Sequence, residues 1–497
     1  MSVFTLTDPN IKKLVAISRE LKDISSAIAL LAWDQETYMS PKGALARAHQ
    51  LETLSGIYHD KATAKSLGKL LDEVKGISEF DIALIREMQR DYTLATKLPR
   101  SLVQELSKES SLGLEAWKHA REQNNFSLFA PSLERMVKLK REVARCYGYV
   151  DSPYDALLDE FEQDLTKKKV EAVLYPLRDE LKVLIPKLVT QTKQYDKGVL
   201  HQKFDGQKLW DFSMHVLEKI GFDLERGRQD KSAHPFTMGL TQSDVRLTTR
   251  ILEDNPISTI LSTVHEGGHG MYEQGVSPEL DFTTLGYITS LVAHESQSRF
   301  WENMIGKSIE FWQYFFPQLQ ATFPEELEGE TVESIWRELN VIKPSLIRVD
   351  ADEVTYHMHI IVRFEIESAL IEGRLAVHDI PTEWNKKIKE YLGVDVPSDS
   401  LGCLQDIHWG QGLIGYFPTY SLGSLFSAQI YESVLKDHPD LPHAIAKGEF
   451  EKPRKWLNEK IHTHGRLYTS DELAIRVTGK PLSSAAYLRY IEDKFAR

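Results

Sequence analysis

Residues 264–275 read VHEGGHGMYEQG, and whether they form a helix decides both the fold and the chemistry. A His-Glu-x-x-His spacing puts two imidazoles on one helical face, a turn apart; in a loop the same letters carry no such meaning. Gly267, Gly268 and Gly270 count against a helix, each by about 1 kcal/mol relative to alanine. The flanks count for it. Asn255 is a good cap, Pro256 suits the first helical position and Gly275 suits a left-handed stop. Between them Ile257, Ile260, Leu261, Val264, Gly268, Met271 and Tyr272 share one stripe at about 100° per residue. His265 and His269 lie together on its edge, with Glu266 on the more open flank. Caps and periodicity outweigh the glycines, and the spacing predicts a helix. Gly268 falls in the buried stripe, where a missing side chain lets another element come close. Gly267 and Gly270 read only as glycines tolerated near a cleft.

Two neutral imidazoles one turn apart share a divalent ion such as zinc, leaving positions for a third ligand and a water. Glu266 is then placed to take that water's proton. The bland alternative is an accidental match on a core helix. For the third ligand, the metzincin pattern is excluded, because Tyr272 and Gly275 stand where it requires Gly and His. Glu273 is too far along the same helix to share a metal with His265. The next helical stretch, SLVAHESQSRFWENMIGK (290–307), offers Glu295, with His294 and Glu302 as rivals, and spacing alone leaves the choice open. His357 and His359 in YHMHII, and His462 and His464 in IHTHG, are two residues apart and diverge on a helix; they read as ordinary polar or core histidines.

Working outward, the 497 residues are 42% hydrophobic and 27% charged, a globular composition with ample core. Helical signals dominate. Ser40 and Pro41 read as one helix start and Pro99 as another. Lys167–Tyr195 is amphipathic, with Pro176 and Pro186 as kinks or breaks. VRLTTRIL (245–252) is the best strand candidate. No repeat, linker or low-complexity tract marks a boundary. The expectation is a mainly α single domain over 1–497, with an N-terminal helical lid region over roughly 1–125, a catalytic region over roughly 230–430 and a small β-sheet.

A net charge of −13, with no basic block or basic-aromatic patch, argues against a nucleic-acid partner. Cys146 and Cys403 are too few for a disulfide framework and point to a reducing, cytoplasmic setting. The opening MSVFTLTDPNIKK lacks the basic-then-apolar layout of a signal peptide. Ile407–Tyr431 carries no charged residue, but Pro418 and four glycines make it a poor bilayer span, so it reads as buried interior rather than membrane.

An ordered set of motifs then carries a resemblance: DVRLTT (244–249), HEGGH (265–269), HESQ (294–297), IRVDAD (347–352) and GCLQDIHW (402–409). WDQETYMSPKGALARAHQ near the start, HPFT (234–237), GYFPTYSLG (415–423) and TGKPL (478–482) flank them. From about Trp33 to the C-terminus the chain resembles the Taq-type zinc carboxypeptidases, a family of metallocarboxypeptidases. The resemblance implies a large neurolysin-like helical body with a small sheet beside a deep, acidic groove, and a homodimer. It implies one Zn²⁺ per subunit, with Co²⁺ as a substitute, on His265, His269 and Glu295, and Glu266 as the catalytic carboxylate. Arg348 and Arg246 look like cations that meet the free carboxylate of a peptide. Two departures, in TTLGYITSLVAHES and HWGQG, bear on pocket shape and substrate preference.

His408 and Tyr420, in the uncharged run, suit donors to a tetrahedral oxyanion; the bland reading is a buried His and Tyr bonded to backbone. Arg348 sits amid three acids and could belong to a solvated ion-pair face, yet its guanidinium can clamp a carboxylate through two parallel hydrogen bonds. Arg246 either shares that work or pairs with Asp244. The expected function is a cytoplasmic metallocarboxypeptidase of broad specificity, releasing single amino acids from peptides with a free C-terminus. An oligoendopeptidase or dipeptidyl carboxypeptidase would share the chemistry. A non-catalytic helical peptide-binding protein with a structural zinc is the rival of another class, and an intact Glu266 argues against it.

Overall fold

The computed structural model describes residues 8–496; the first seven residues of the opening stretch lie outside the described residues. Among the described residues helices dominate, with one three-stranded sheet, as expected. The chain forms two compact units. One comprises the chain up to Thr96 with Lys197–Leu339 and Phe426–Pro481; the other comprises Lys97–Asp196, Asn340–Leu425 and the chain from Leu482 onward.

In the first unit, β1 (Gly227–Lys231), β2 (Phe236–Thr241) and β3 (Asp244–Thr249) form a sheet with β3 in the centre, parallel to β1 and antiparallel to β2. The strand expected at 245–252 is β3, which begins one residue earlier and stops at Thr249. Helix Pro256–Gly275 packs on this sheet and on helix Gly206–Ile220. Asn255 caps it as expected, its Oδ1 accepting from Ser258 N at 3.0 Å.

The glycines of this helix serve close packing. A Cβ on Gly268 would lie 2.7 Å from Gln297 O and from Ser298 Cα, which is the close approach its place in the stripe implies. Gly267 and Gly270 are not merely tolerated near a cleft. Their Cβ atoms would fall 2.8 Å from Leu217 Cδ1 and 2.6 Å from Phe222 Cε2. Gly275 likewise departs from expectation: it is not left-handed, and a Cβ there would strike Asn458 Nδ2 and His462 Cβ at 2.6 Å. Against about 1 kcal/mol for each glycine, the close approach buries Ile260, Val264 and Tyr272 completely. Each large apolar side chain contributes about 1.5–3 kcal/mol.

Helix Pro9–Thr37 binds the sheet through Ser26 Oγ, which donates to Leu240 O at 2.6 Å. Ser40 makes no side-chain cap; a 3₁₀ turn, Pro41–Gly43, leads into helix Ala44–Ala62 instead.

In the second unit Pro99 occupies the cap position of helix Arg100–Glu122. Helix Lys167–Thr192 runs through Pro176 and Pro186, so of the expected kinks or breaks neither proline makes a break. Its continuous buried row, Leu174, Leu177, Leu181, Ile185 and Leu188, offsets the hydrogen bonds the prolines remove. Helix Tyr356–Glu372 is buried on nearly all sides and carries Arg363 and Glu367 inside. The Glu367 carboxylate accepts from Tyr154 OH (2.6 Å), Trp409 Nε1 (2.8 Å) and Gly415 N (2.9 Å), so a deeply buried acid is fully hydrogen-bonded. The uncharged run after Ile407 is interior here, with Ile414, Phe417, Leu422 and Leu425 all buried. Among the described residues no helix is long and apolar enough to cross a membrane.

Candidate metal centre

His265 and His269 stand one turn apart on helix Pro256–Gly275, their ring centroids 4.9 Å apart. Helix Leu291–Arg299, capped by Ser290 Oγ on Ala293 N, brings Glu295 up to them along the approach that Gly268 permits. Glu295 Oε2 lies 3.7 Å from His265 Nε2 and 3.5 Å from His269 Nε2. One donor atom from each of the three falls within 4.8 Å of the others, the one such group found among the described residues.

The rivals for third ligand take other places around the same cradle. Glu302 Oε2 contacts the opposite ring nitrogen of His265, Nδ1, at 2.7 Å. His294 stacks on His269 with ring centroids 4.0 Å apart, its Nε2 3.3 Å from Glu273 Oε1. His357 Nδ1 bonds Ser421 Oγ at 2.9 Å and His462 Nε2 bonds Gln297 Oε1 at 2.8 Å, as core histidines do.

Burial works against charge on Glu295, but Arg299 and the two histidines outweigh it and hold the carboxyl well below the usual range. Burial, reinforced by His294, keeps the His269 ring neutral. Two imidazole nitrogens and one ionised carboxylate oxygen, converging in a buried cradle, are the donor set of a catalytic zinc-type site. The residues present therefore fit a divalent metal. Glu266 is buried beside them, and burial raises its carboxyl above the ordinary value. Thr237 on β2 donates its hydroxyl to Glu266 Oε2 at 2.6 Å.

Arg246, on β3 of the same unit, forms a two-pronged pair with Asp244 (2.9 Å twice) and lies 4.4 Å from the Trp33 ring centroid.

A separate polar cluster forms within the second unit. Arg348 is buried and donates to Asp406 Oδ1 through Nε (3.1 Å) and Nη2 (3.0 Å), and to Tyr356 OH through Nη1 (3.0 Å). Its partner is thus not Asp350, Asp352 or Glu353 next to it in sequence, and the solvated ion-pair face does not describe it. Arg363 donates to the other oxygen of Asp406, Nε at 2.7 Å, so two guanidinium groups share one carboxylate. Tyr420 lies against Arg348, its ring centroid 5.1 Å from Cζ, and its hydroxyl is 3.4 Å from His408 Nε2. Burial lowers the His408 pKa to about 4, leaving the ring neutral.

The sequence reading missed Thr237, Arg299, Arg363 and Asp406. Arg299 follows Glu295 by four residues and could have been found from helical spacing; Thr237 reaches Glu266 through strand packing, which has no local signature.

The sequence model of the family described as Carboxypeptidase Taq (M32) metallopeptidase matches residues 13–495. Thermostable carboxypeptidase 1 of Pyrococcus furiosus is 36% identical over 490 residues, covering 98% of both chains. Thermostable carboxypeptidase 1 of Thermus thermophilus is 37% identical over 500 residues, again with 98% coverage of both. A solved structure of Pyrococcus furiosus carboxypeptidase superposes with a TM-score of 0.97 at 35% identity, covering 99% of this chain and 100% of that one. An M32 carboxypeptidase from Deinococcus radiodurans gives 0.94 at 36% identity, covering 98% and 99%. With metal-capable side chains converging in a chain related over almost its whole length, this protein belongs to the carboxypeptidase Taq (M32) metallopeptidase family and is a metal-dependent carboxypeptidase acting on peptides.

Proposed function

We propose that the enzyme uses one zinc ion per subunit, replaceable by cobalt, to release single amino acids from the free C-terminus of peptides with broad specificity. The observation that carries this reading is the convergence of His265, His269 and Glu295 within 4.8 Å, with Glu266 beside them. These three residues would hold the metal. When bound, the ion supplies Lewis acidity toward a water and the scissile carbonyl. Glu266 takes a proton from the attacking water and delivers it to the leaving amine. Its raised pKa suits a base that must later act as acid. Thr237 holds one oxygen of that carboxylate and leaves the other for the water.

For His408 and Tyr420 we propose hydrogen-bond donation to the oxyanion, since a neutral imidazole and a phenol can both donate. For Arg348 we propose recognition of the terminal carboxylate, with Arg246 sharing the work; an internal peptide bond offers no such group. Two free thiols, Cys146 and Cys403, support the cytoplasm as its location. A homodimer rests on the family resemblance.

One peptide in two forms, free acid and C-terminal amide, tests the reading when followed by mass spectrometry with the zinc-loaded enzyme. A ladder of single-residue losses from the free acid alone, abolished in Glu266→Gln with metal still bound, is expected. Internal cuts in both forms would overturn it.

A further inference from the structure

The charged side chains outside the metal cradle close a ring. His265 Nδ1 meets Glu302 Oε2 at 2.7 Å, which leaves its Nε2 lone pair directed to the Glu295 side. Arg299 Nη1 donates to the same Glu302 oxygen at 3.0 Å, and Arg299 Nε donates to Glu295 Oε1 at 2.6 Å. Arg299 therefore holds Oε1 of Glu295, while Oε2, which also accepts from Ser298 Oγ at 3.2 Å, faces both histidines. We infer that Arg299 and Glu302 are positioning residues that lock the first and third ligands against each other. Glu302 fixes the tautomer of His265, and Arg299 confines Glu295 to a single donor oxygen. The inference rests on the ligand reading above.

Three features support it. The four side chains are all less than one-fifth exposed, so their interactions are weakly screened. Glu302 stands on a π-helix, Phe300–Gly306, that follows directly from the helix carrying Glu295 and Arg299. Such wide turns are uncommon and recur at functional sites. Lys307 Nζ, 3.7 Å from Glu302 Oε1, balances the second carboxylate, so the ring carries two acids and two bases. The device acts on one histidine only. His269 Nδ1 has no hydrogen-bond partner among the described residues, and that ring is held by stacking on His294.

Metal affinity, measured by titrating zinc into the metal-free protein, reads the ring directly. Arg299→Met and Glu302→Gln should each weaken zinc binding by about 10–100-fold. The double variant should lose less than the two losses combined, because the residues act through one ring. The visible absorption of the cobalt-loaded protein should change in Arg299→Met, where Glu295 is free to chelate through both oxygens. Arg299→Lys, which keeps the charge but not the fork, should recover only part of the affinity. Should Arg299→Met fail to fold, the isosteric Glu302→Gln carries the test. Unchanged affinity and spectrum in folded variants would overturn the inference. His265→Ala separates the two levels: if it loses zinc while the ring variants keep it, only the ring falls; if it keeps zinc, the ligand reading falls.

Discussion

Thr237 donates its hydroxyl to Glu266 Oε2 across 2.6 Å, tying strand β2 to the helix that carries the two histidines. If Glu266 is the proton acceptor, this bond aims it. Thr237→Val keeps the shape and removes the donor, and kcat should fall roughly tenfold to a hundredfold, the scale of a small misplacement of a catalytic group. KM and zinc content should stay at wild-type values, and Thr237→Ser should retain most activity. Steady-state kinetics with metal analysis checks this; a Val variant as fast as wild type would mean that Glu266 needs no such support.

Gly268 decides how near the helix of His265 and His269 lies to the helix of Glu295. A methyl group there would sit 2.7 Å from Gln297 O and Ser298 Cα, and backbone cannot swing aside as a side chain can. Gly268→Ala should destabilise the protein by about 1–3 kcal/mol, despite alanine's better helix propensity. It should also weaken zinc binding, because the added methyl pushes Glu295 away from His265 and His269. Denaturant unfolding with zinc titration measures both effects. A gain in stability would show that the helices have room to spare.

Helix Pro256–Gly275 was legible because capping and periodicity are local: Asn255, Pro256 and the apolar stripe speak for themselves. Which residue joins the two histidines was not legible from spacing, and Glu295 was named by the resemblance alone. His294, Glu295 and Glu302 all reach the same cradle, and the two acids differ in which nitrogen of His265 each faces. Arg348 shows the same limit at longer range, since its partner Asp406 lies 58 residues away while three nearer acids are not used. Pro176 and Pro186 mislead for the opposite reason: a local penalty is outweighed by a buried row that only packing reveals.

His408 gives a pH signature. Its folded pKa, lowered by burial to about 4, lies below the ordinary unfolded value of about 6.5. The folded state therefore binds fewer protons between those values. The associated stability is present above about pH 6.5 and lost as pH falls toward about 4. It amounts to at most about 3 kcal/mol, less where the ring meets solvent. The stability difference between wild type and His408→Gln should accordingly shrink between pH 7.5 and 4.5, as read from guanidinium midpoints. A constant difference would show that the ring titrates alike in both states.

Arg348 and Arg363 divide the two oxygens of Asp406, so the buried cluster holds two guanidinium charges against one carboxylate. Such a surplus favours an incoming anion, and the C-terminal carboxylate of a peptide is the anion that an exopeptidase must recognise. Arg348→Met leaves Asp406 paired with Arg363, so the fold should survive. KM for free-acid peptides should rise roughly tenfold to a hundredfold, the range expected for losing a charged hydrogen bond of about 1.5–3 kcal/mol. Arg348→Lys should recover only part, because an ammonium lacks the planar fork. C-terminally amidated peptides should stay uncleaved by either variant, as by the wild type. An unchanged KM for free acids would leave Arg348 a structural partner of Asp406 and remove it from substrate recognition.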